Sequence, residues 1–235
     1  MRMKNIKTVF IDLDDTVWWF TENSKVALLH TYECFGISHW CPDYKRFVDI
    51  YHEKNTELWN LYHYGKIEKD YLLTERFRYV LERIGCDKPL LELSSRMNEE
   101  YLDFLSHLKL LVPGSREILE YLAPRYDVNI LSNGFKGVQL RKLQSGGIDH
   151  LFHRLILSDD AGITKPLPGI FEYALAQCGA SASTSVMIGD NYDADVCGAF
   201  RVGWRTIYFN LRGTTEPTPC ASACVASLAD IKEIL

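Results

Sequence analysis

Asp12, Asp14 and Asp15 stand within four positions at the end of an apolar run, VFIDLDD. Carboxylates that close repel one another. A chain keeps them together when they are solvated or when positive charge sits among them, and a metal ion is one such charge. Further polar groups recur along the chain. Ser132-Asn133-Gly134 follows VNIL, Asp159-Asp160 follows LILS and is itself followed by Lys165-Pro166, and Gly189-Asp190-Asn191 follows SVMI, with Asp193 and Asp195 close behind. The inventory is carboxylates, a hydroxyl, a small amide and one lysine. Carboxylates from two segments suit a hard divalent cation such as Mg²⁺. Ser132 and the backbone N–H groups around Asn133-Gly134 can cradle a tetrahedral anion, and Lys165 adds a point charge for it. A carboxylate left facing that anion becomes a nucleophile. The set describes a site for phosphoryl transfer.

These residues need elements that bring them to one place. KTVFIDL reads as a short buried strand. From about residue 22 to 107 the texture is helical. KVALLHTYECFG, DYKRFVDIYHEKNTELWNLY, EKDYLLTERFRYVLERIG and LLELSSRMNEEYLDFLSHL each carry apolar residues at three- and four-residue spacing, with Gly36, Gly65 and Gly85 as stops. After Pro113-Gly114 the pattern alternates. The strands DVNILS, HRLILS, TSVMIGD, RTIYFN and ACVAS are separated by helical stretches, among them FKGVQLRKLQSGG and DADVCGAFRVG, and LADIKEIL closes the chain. Such alternation predicts βαβ units and a parallel sheet covered on both faces. The fold class expected is α/β: a three-layer, Rossmann-like parallel sheet core (residues 1–17 and 108–235) with an inserted four-helix domain (18–107). GTTEPTPCAS is the one loose stretch. In such sheets ligands bind beyond the carboxyl ends of the strands, where all the polar groups above fall.

Composition limits the alternatives. At 235 residues the chain can bury a substantial core, and 47% apolar with 24% charged residues is ordinary for a globular protein. A net charge of −5 argues against a nucleic acid polymer or an anionic membrane as partner. No apolar run approaches the roughly 18 residues of a spanning helix, and the N-terminal apolar run is too short for a signal peptide and ends in acids. Seven scattered cysteines without a CxxC pair read as incidental thiols of a reduced, cytoplasmic protein.

The four polar blocks, in this order, closely resemble the motifs of the haloacid dehalogenase superfamily. DLDDT resembles its first motif, ILSNG its second, KPLPGIF its third and IGDNYDADVCGA its fourth. The resemblance covers nearly the whole chain, and the helical insert resembles the family's α-helical cap. It implies that Asp12 is the nucleophile and forms an aspartyl-phosphate, and that Asp14 protonates the leaving oxygen and then takes a proton from water. It implies that Asp12, the backbone carbonyl of Asp14 and Asp190 hold Mg²⁺, with Asp195 in or just behind that shell. Ser132, Asn133, Gly134 and Lys165 would bind the phosphoryl group. The family's true dehalogenases lack the second acid, which this chain keeps as Asp14, so the resemblance favours a phosphatase acting on a small-molecule phosphomonoester, as a monomer or homodimer. The stretch NTELWNLYHYGKIEKDYLLTERF resembles the cap of pyrimidine 5′-nucleotidases, and Trp18 is the aromatic expected to meet a base or sugar. A sugar-phosphate phosphatase, a phosphomutase and a catalytically silent binding module stay open.

Each feature also has a plainer reading. Asp15 is a turn residue or an outer acceptor, and Thr16 fixes the loop by hydrogen bonding. SNG alone is a turn in which Gly134 supplies a positive φ. Trp18, Trp19 and Phe20, with Trp59, Tyr62 and Tyr64, fill the core of the helical insert. Arg141-Lys142 is a solvated helix face, and His150-x-x-His153 lies on the surface. The remaining histidines fall in or beside the insert's helices.

Overall fold

The computed structural model describes residues 2–235, which form two compact units, residues 2–20 with 109–235, and residues 21–108. The first holds a six-stranded sheet. β1 (Thr8–Ile11), β2 (Asp127–Ser132), β3 (Arg154–Leu157), β4 (Ser185–Gly189), β5 (Arg205–Phe209) and β6 (Ala223–Val225) lie in the order β3-β2-β1-β4-β5-β6, and every pairing is parallel. β1 is central: Ile11 aligns with Ile130 on one side and Ile188 on the other. The strand order reverses there, and the crevice at such a reversal is where doubly wound sheets bind ligands.

All four residues of β1 are buried, as expected for a parallel sheet covered on both faces. Phe10, Leu131 and Met187 point to one face, into a cluster with Ile170, Phe171, Ala174, Ala199 and Trp204. The Trp204 ring lies 4.5 Å from that of Phe10 and 5.4 Å from that of Phe171. Ile170, Phe171 and Ala174 come from α8 (Pro168–Cys178), Ala199 from α9 (Gly198–Arg201) and Trp204 from the turn before β5. Val9, Ile11, Val128, Ile130, Val186 and Ile188, all buried, carry the opposite face. The remaining helices of this unit are α5 (Ser115–Leu122), α6 (Lys136–Ser145), α7 (Ser158–Ala161) and α10 (Ile231–Ile234). The chain stays with the sheet for three residues beyond the expected boundary. Trp18 bridges to Leu111, and the Trp19 N–H donates to the Leu110 carbonyl at 3.0 Å.

The second unit consists of α2 (Tyr44–His63), α3 (Lys69–Arg83) and α4 (Leu90–Ser106), preceded by α1 (Phe20–Cys34), which opens it. Asp43 caps α2 by accepting from the Lys45 and Arg46 N–H groups. Gly65 and Gly85, both at positive φ, follow α2 and α3 as expected of helix stops. The buried centre is Tyr51, Phe77 and Tyr101 around Arg76, which is only 2% exposed. The guanidinium lies 5.1 Å from the Tyr101 ring and bonds Asn98 Oδ1 through Nε at 2.9 Å and also through Nη2. Trp59 and Tyr62 are half-buried and Tyr64 is exposed. Trp59 packs against Tyr62 and His63 at the end of α2 instead of in that centre. No helix among the described residues is long and apolar enough to cross a membrane.

Asn98→Leu would leave the buried guanidinium without its amide acceptor. Hydrogen bonds to charged groups contribute about 1.5–3 kcal/mol, so urea unfolding should show a loss of that size.

Candidate active site

Asp12 follows β1 directly, and its N–H donates to the Ile188 carbonyl at 2.9 Å, so the strand register is kept to the first acid. Lys165, 2% exposed, reaches in from the loop before α8. Its Nζ donates to Asp12 Oδ1 at 2.6 Å, to Asp195 Oδ1 at 2.6 Å and to the Leu131 carbonyl at 2.7 Å. One ammonium thus gathers the ends of β1, β2 and β4. Burial pushes the Asp12 carboxyl up to about 7, Lys165 pulls it down, and Asp195 and Asp14 add to the rise. Burial works to lower Lys165, but Asp12 and Asp195 outweigh it and hold the ammonium above its ordinary range. Asp190 also stands well above the carboxylate range, first through burial and then through Asp12, Asp195 and Asp15, with Arg212 opposing.

Thr16 fixes the loop as expected. Its hydroxyl donates to Asp190 Oδ1 at 3.2 Å and accepts from the Asp190 N–H at 3.0 Å. Asp15 is the turn residue, with φ at 57° and its N–H on the Trp18 carbonyl. Asp195 sits in a π-helical turn, Tyr192–Cys197, where the expectation was an ordinary helix. Its Oδ2 accepts from the Asn191 N–H at 3.1 Å. A Cβ at Gly189 would run into the Asp195 carboxylate, so only glycine lets that carboxylate lie against the strand end.

Asp12, Asp190 and Asp195 each offer a carboxylate oxygen within 4.8 Å of the others. An all-oxygen set in which the Asp12 and Asp190 carboxyls are raised fits a hard divalent cation, which would supply the missing positive charge. Lys165 and the Asn191 N–H already engage both Asp195 oxygens, so Asp12 and Asp190 are the side chains best able to ligate, with Asp195 behind them. The Asp14 carboxylate lies elsewhere. Its Oδ1 pairs with Lys142 Nζ at 2.6 Å and its Oδ2 accepts from Gln139 Nε2 at 2.8 Å.

Several expectations need correction. Lys142 is not on a solvated face: it is 3% exposed, with its ammonium 4.6 Å from the Trp18 ring and 5.3 Å from that of Phe20. Trp18 is completely buried beneath it and cannot present its ring to a substrate. The Asn133 side chain is committed to the backbone of Lys165, accepting from its N–H at 2.8 Å and donating to its carbonyl at 2.9 Å. Gly134 is not at positive φ; glycine is needed there because a Cβ would collide with Gln139. Ser132 Oγ accepts from the Gly134 N–H at 3.1 Å and from Gln139 Nε2 at 2.8 Å. Asp159 and Asp160 bond Lys136, and exposed Asp193 pairs with Arg201, so these three stand apart from the cluster. His153 is exposed and pairs with Asp127, and His150 is exposed beside Asp149. Gln139 went unnoticed in the sequence. Sequence pattern gives no signal for it, since only the fold shows that Val138, Gln139, Lys142 and Leu143 form one buried stripe of α6, on which polar residues require partners.

A haloacid dehalogenase-like hydrolase model matches residues 6–203. Pyrimidine 5′-nucleotidase YjjG of Escherichia coli K12 is 27% identical over 229 residues, covering 97% of this chain and 96% of that protein. A glyceraldehyde 3-phosphate phosphatase of Pyrococcus abyssi is 31% identical over 206 residues, covering 87% and 81%. The crystal structure of the HAD-hydrolase YfnB of Bacillus subtilis, described as bound to magnesium, matches with a TM-score of 0.87 at 24% identity over 98% of each chain.

Lys165→Met would strand two buried carboxylates. Breaking a buried pair from one side costs about 3–5 kcal/mol, and urea unfolding in chelator should show a loss of that order.

Proposed function

The chain belongs to the haloacid dehalogenase-like hydrolase family, and from that premise we propose that it is a Mg²⁺-dependent phosphatase of small phosphomonoesters that acts through Asp12. The observation that carries the reading is the pair of acids Asp12 and Asp14, each held by its own buried lysine, Lys165 and Lys142. Asp12 attacks phosphorus, and the bond to the leaving oxygen breaks as Asp14 gives that oxygen a proton. Water then attacks the aspartyl-phosphate, Asp14 takes the water's proton, and phosphate leaves with the Asp12 carboxylate restored. The Ser132 hydroxyl and the Asn133 N–H receive the phosphoryl oxygens, and Lys165 offsets the repulsion between two anions. Mg²⁺ held by Asp12, Asp190 and the Asp14 carbonyl would neutralise charge developing on the attacking and phosphoryl oxygens.

For substrate we propose nucleoside 5′-monophosphates, pyrimidine ones foremost. The support is the likeness to YjjG across nearly the full length of both chains and the resemblance of residues 55–77 to that subgroup. Selectivity should be broad, because one group's difference in an apolar pocket changes binding by roughly 1–3 kcal/mol. A panel of phosphorylated metabolites assayed with Mg²⁺ tests this. Nucleotides should lead, with sugar phosphates weaker. Hexose phosphates ahead of every nucleotide by about a hundredfold, roughly 2.7 kcal/mol, would end the nucleotidase reading and leave the phosphatase one. Asp12→Asn should abolish turnover on every substrate, and activity within about tenfold of the parent would remove Asp12 as nucleophile.

The raised acids give the metal a pH signature. With Asp12 near 7 in the fold and 3.8 as its ordinary value, the native state binds more protons than the unfolded one between those limits. In chelator, Asp12 therefore contributes a stability that is lost as pH rises from about 4 to about 7, and Asp190 acts in the same direction. A bound cation should remove this loss. The rise in Tm caused by Mg²⁺ should be larger at about pH 7.5 than at about pH 5.5. An equal rise at both would place the cation elsewhere.

A further inference from the structure

Lys142 and Gln139 have no part in the steps above, yet both are buried and both reach the acid–base residue. An ammonium buried like that of Lys142 costs several kcal/mol unless it is well paired. It meets the Asp14 carboxylate and the faces of Trp18 and Phe20, and such faces favour a cation. Gln139 uses one amide nitrogen twice, on Asp14 Oδ2 and on Ser132 Oγ, each at 2.8 Å. Its Oε1 is buried without a partner, an arrangement that lowers stability. Turning the amide over would point that oxygen at the Asp14 carboxylate, so the orientation serves the acid and the serine. The Ser132 hydroxyl, accepting from Gln139 and from the Gly134 N–H, keeps its own proton to donate.

We infer that Lys142, with Gln139, is the positioning residue for Asp14: the two side chains hold one carboxylate oxygen each and fix where proton delivery and removal occur. The inference rests on the phosphatase reading. A carboxylate has about four acceptor sites, so the two donors leave room for the travelling proton. In the first half-reaction Asp14 passes its proton to the leaving oxygen, and Lys142 meets the carboxylate that forms. In the second, that carboxylate takes a proton from the attacking water. Gln139 ties the same carboxylate to the serine expected to grip the phosphoryl group.

The test compares the parent with Lys142→Met, Lys142→Arg and Asp14→Asn, on p-nitrophenyl phosphate and on a hydrolysed alkyl phosphate, by rapid quench and in steady state. Nitrophenolate leaves without an acid, whereas the water step still needs Asp14. Lys142→Met should therefore release one nitrophenolate per active site in a burst and then turn over at least about tenfold more slowly than the parent. On the alkyl phosphate it should show no burst, with kcat down by about thirtyfold or more and KM within about threefold. Lys142→Arg should restore most of kcat. Lys142→Met added to Asp14→Asn should slow the burst by no more than about twofold beyond Asp14→Asn alone. Equal slowing on both substrates without a burst, a loss carried by KM, or independent effects of the two substitutions would overturn the inference. If Lys142→Met does not fold, Gln139→Met, which keeps the ammonium, is read by the burst and kcat criteria alone, because Gln139 also touches Ser132. A parent inactive on every phosphomonoester would bring down the phosphatase reading and this inference together, whereas an active parent with an unaffected Lys142→Met would bring down this inference alone.

Discussion

The ammonium of Lys165 is the point on which the rest depends. It touches a carboxylate beyond β1, a carbonyl within β2 and a carboxylate beyond β4. Without it, two acids in a dry environment would be driven to take up protons. Its reach fixes other choices. The glycine at the end of β4 follows from the closeness of Asp195, and the Asn133 side chain grips the backbone of Lys165 and so sets where the ammonium arrives. The parallel register brings three strand ends to one level, and the lysine converts that level into a charge cluster.

A second cation divides the labour. Asp12 and Asp14 are two positions apart, yet each has its own lysine, delivered by the loop before α8 in one case and by α6 in the other. Neighbouring carboxylates with separate environments can hold different protonation states, as paired acids at one site need. Thr16 adds a third tie, linking the loop after β1 to Asp190.

The sheet was legible in the sequence because its strands are short, β-branched and buried on both faces; DVNILS was read to its observed ends. The positions of Asp12 and Asp190 were legible because each directly follows a strand, and strand ends in a parallel sheet converge, whereas Lys165 comes after α7, in the loop before α8. What stayed hidden depended on tertiary contact. Lys142 follows Arg141 and carries a charge, so helical pattern alone put it in solvent; only the fold supplies the Asp14 carboxylate and the rings that make its burial tolerable. The partner of Trp18 stayed hidden for the matching reason, since its ring is the floor under that lysine. The amide of Asn133 has a local motif in sequence, but its partner lies 32 positions away, and no local pattern gives that partner.

The stitched junction of the helical insert has a kinetic consequence. β1 is made first, but β2 begins only at Asp127 and β4 at Ser185. Pairing across so long a segment would be slow if the segment stayed loose, because closing a long flexible loop loses chain entropy. Here the entry and exit of the insert lie side by side: Val112 donates to the Val17 carbonyl, and Trp19 to that of Leu110. A helical insert that folded from its own local contacts would bring those two ends together before the sheet formed. For the assembling sheet, β1 and β2 would then behave as strands joined by a connection of ordinary length, with the first carboxylate of the site held near its partners.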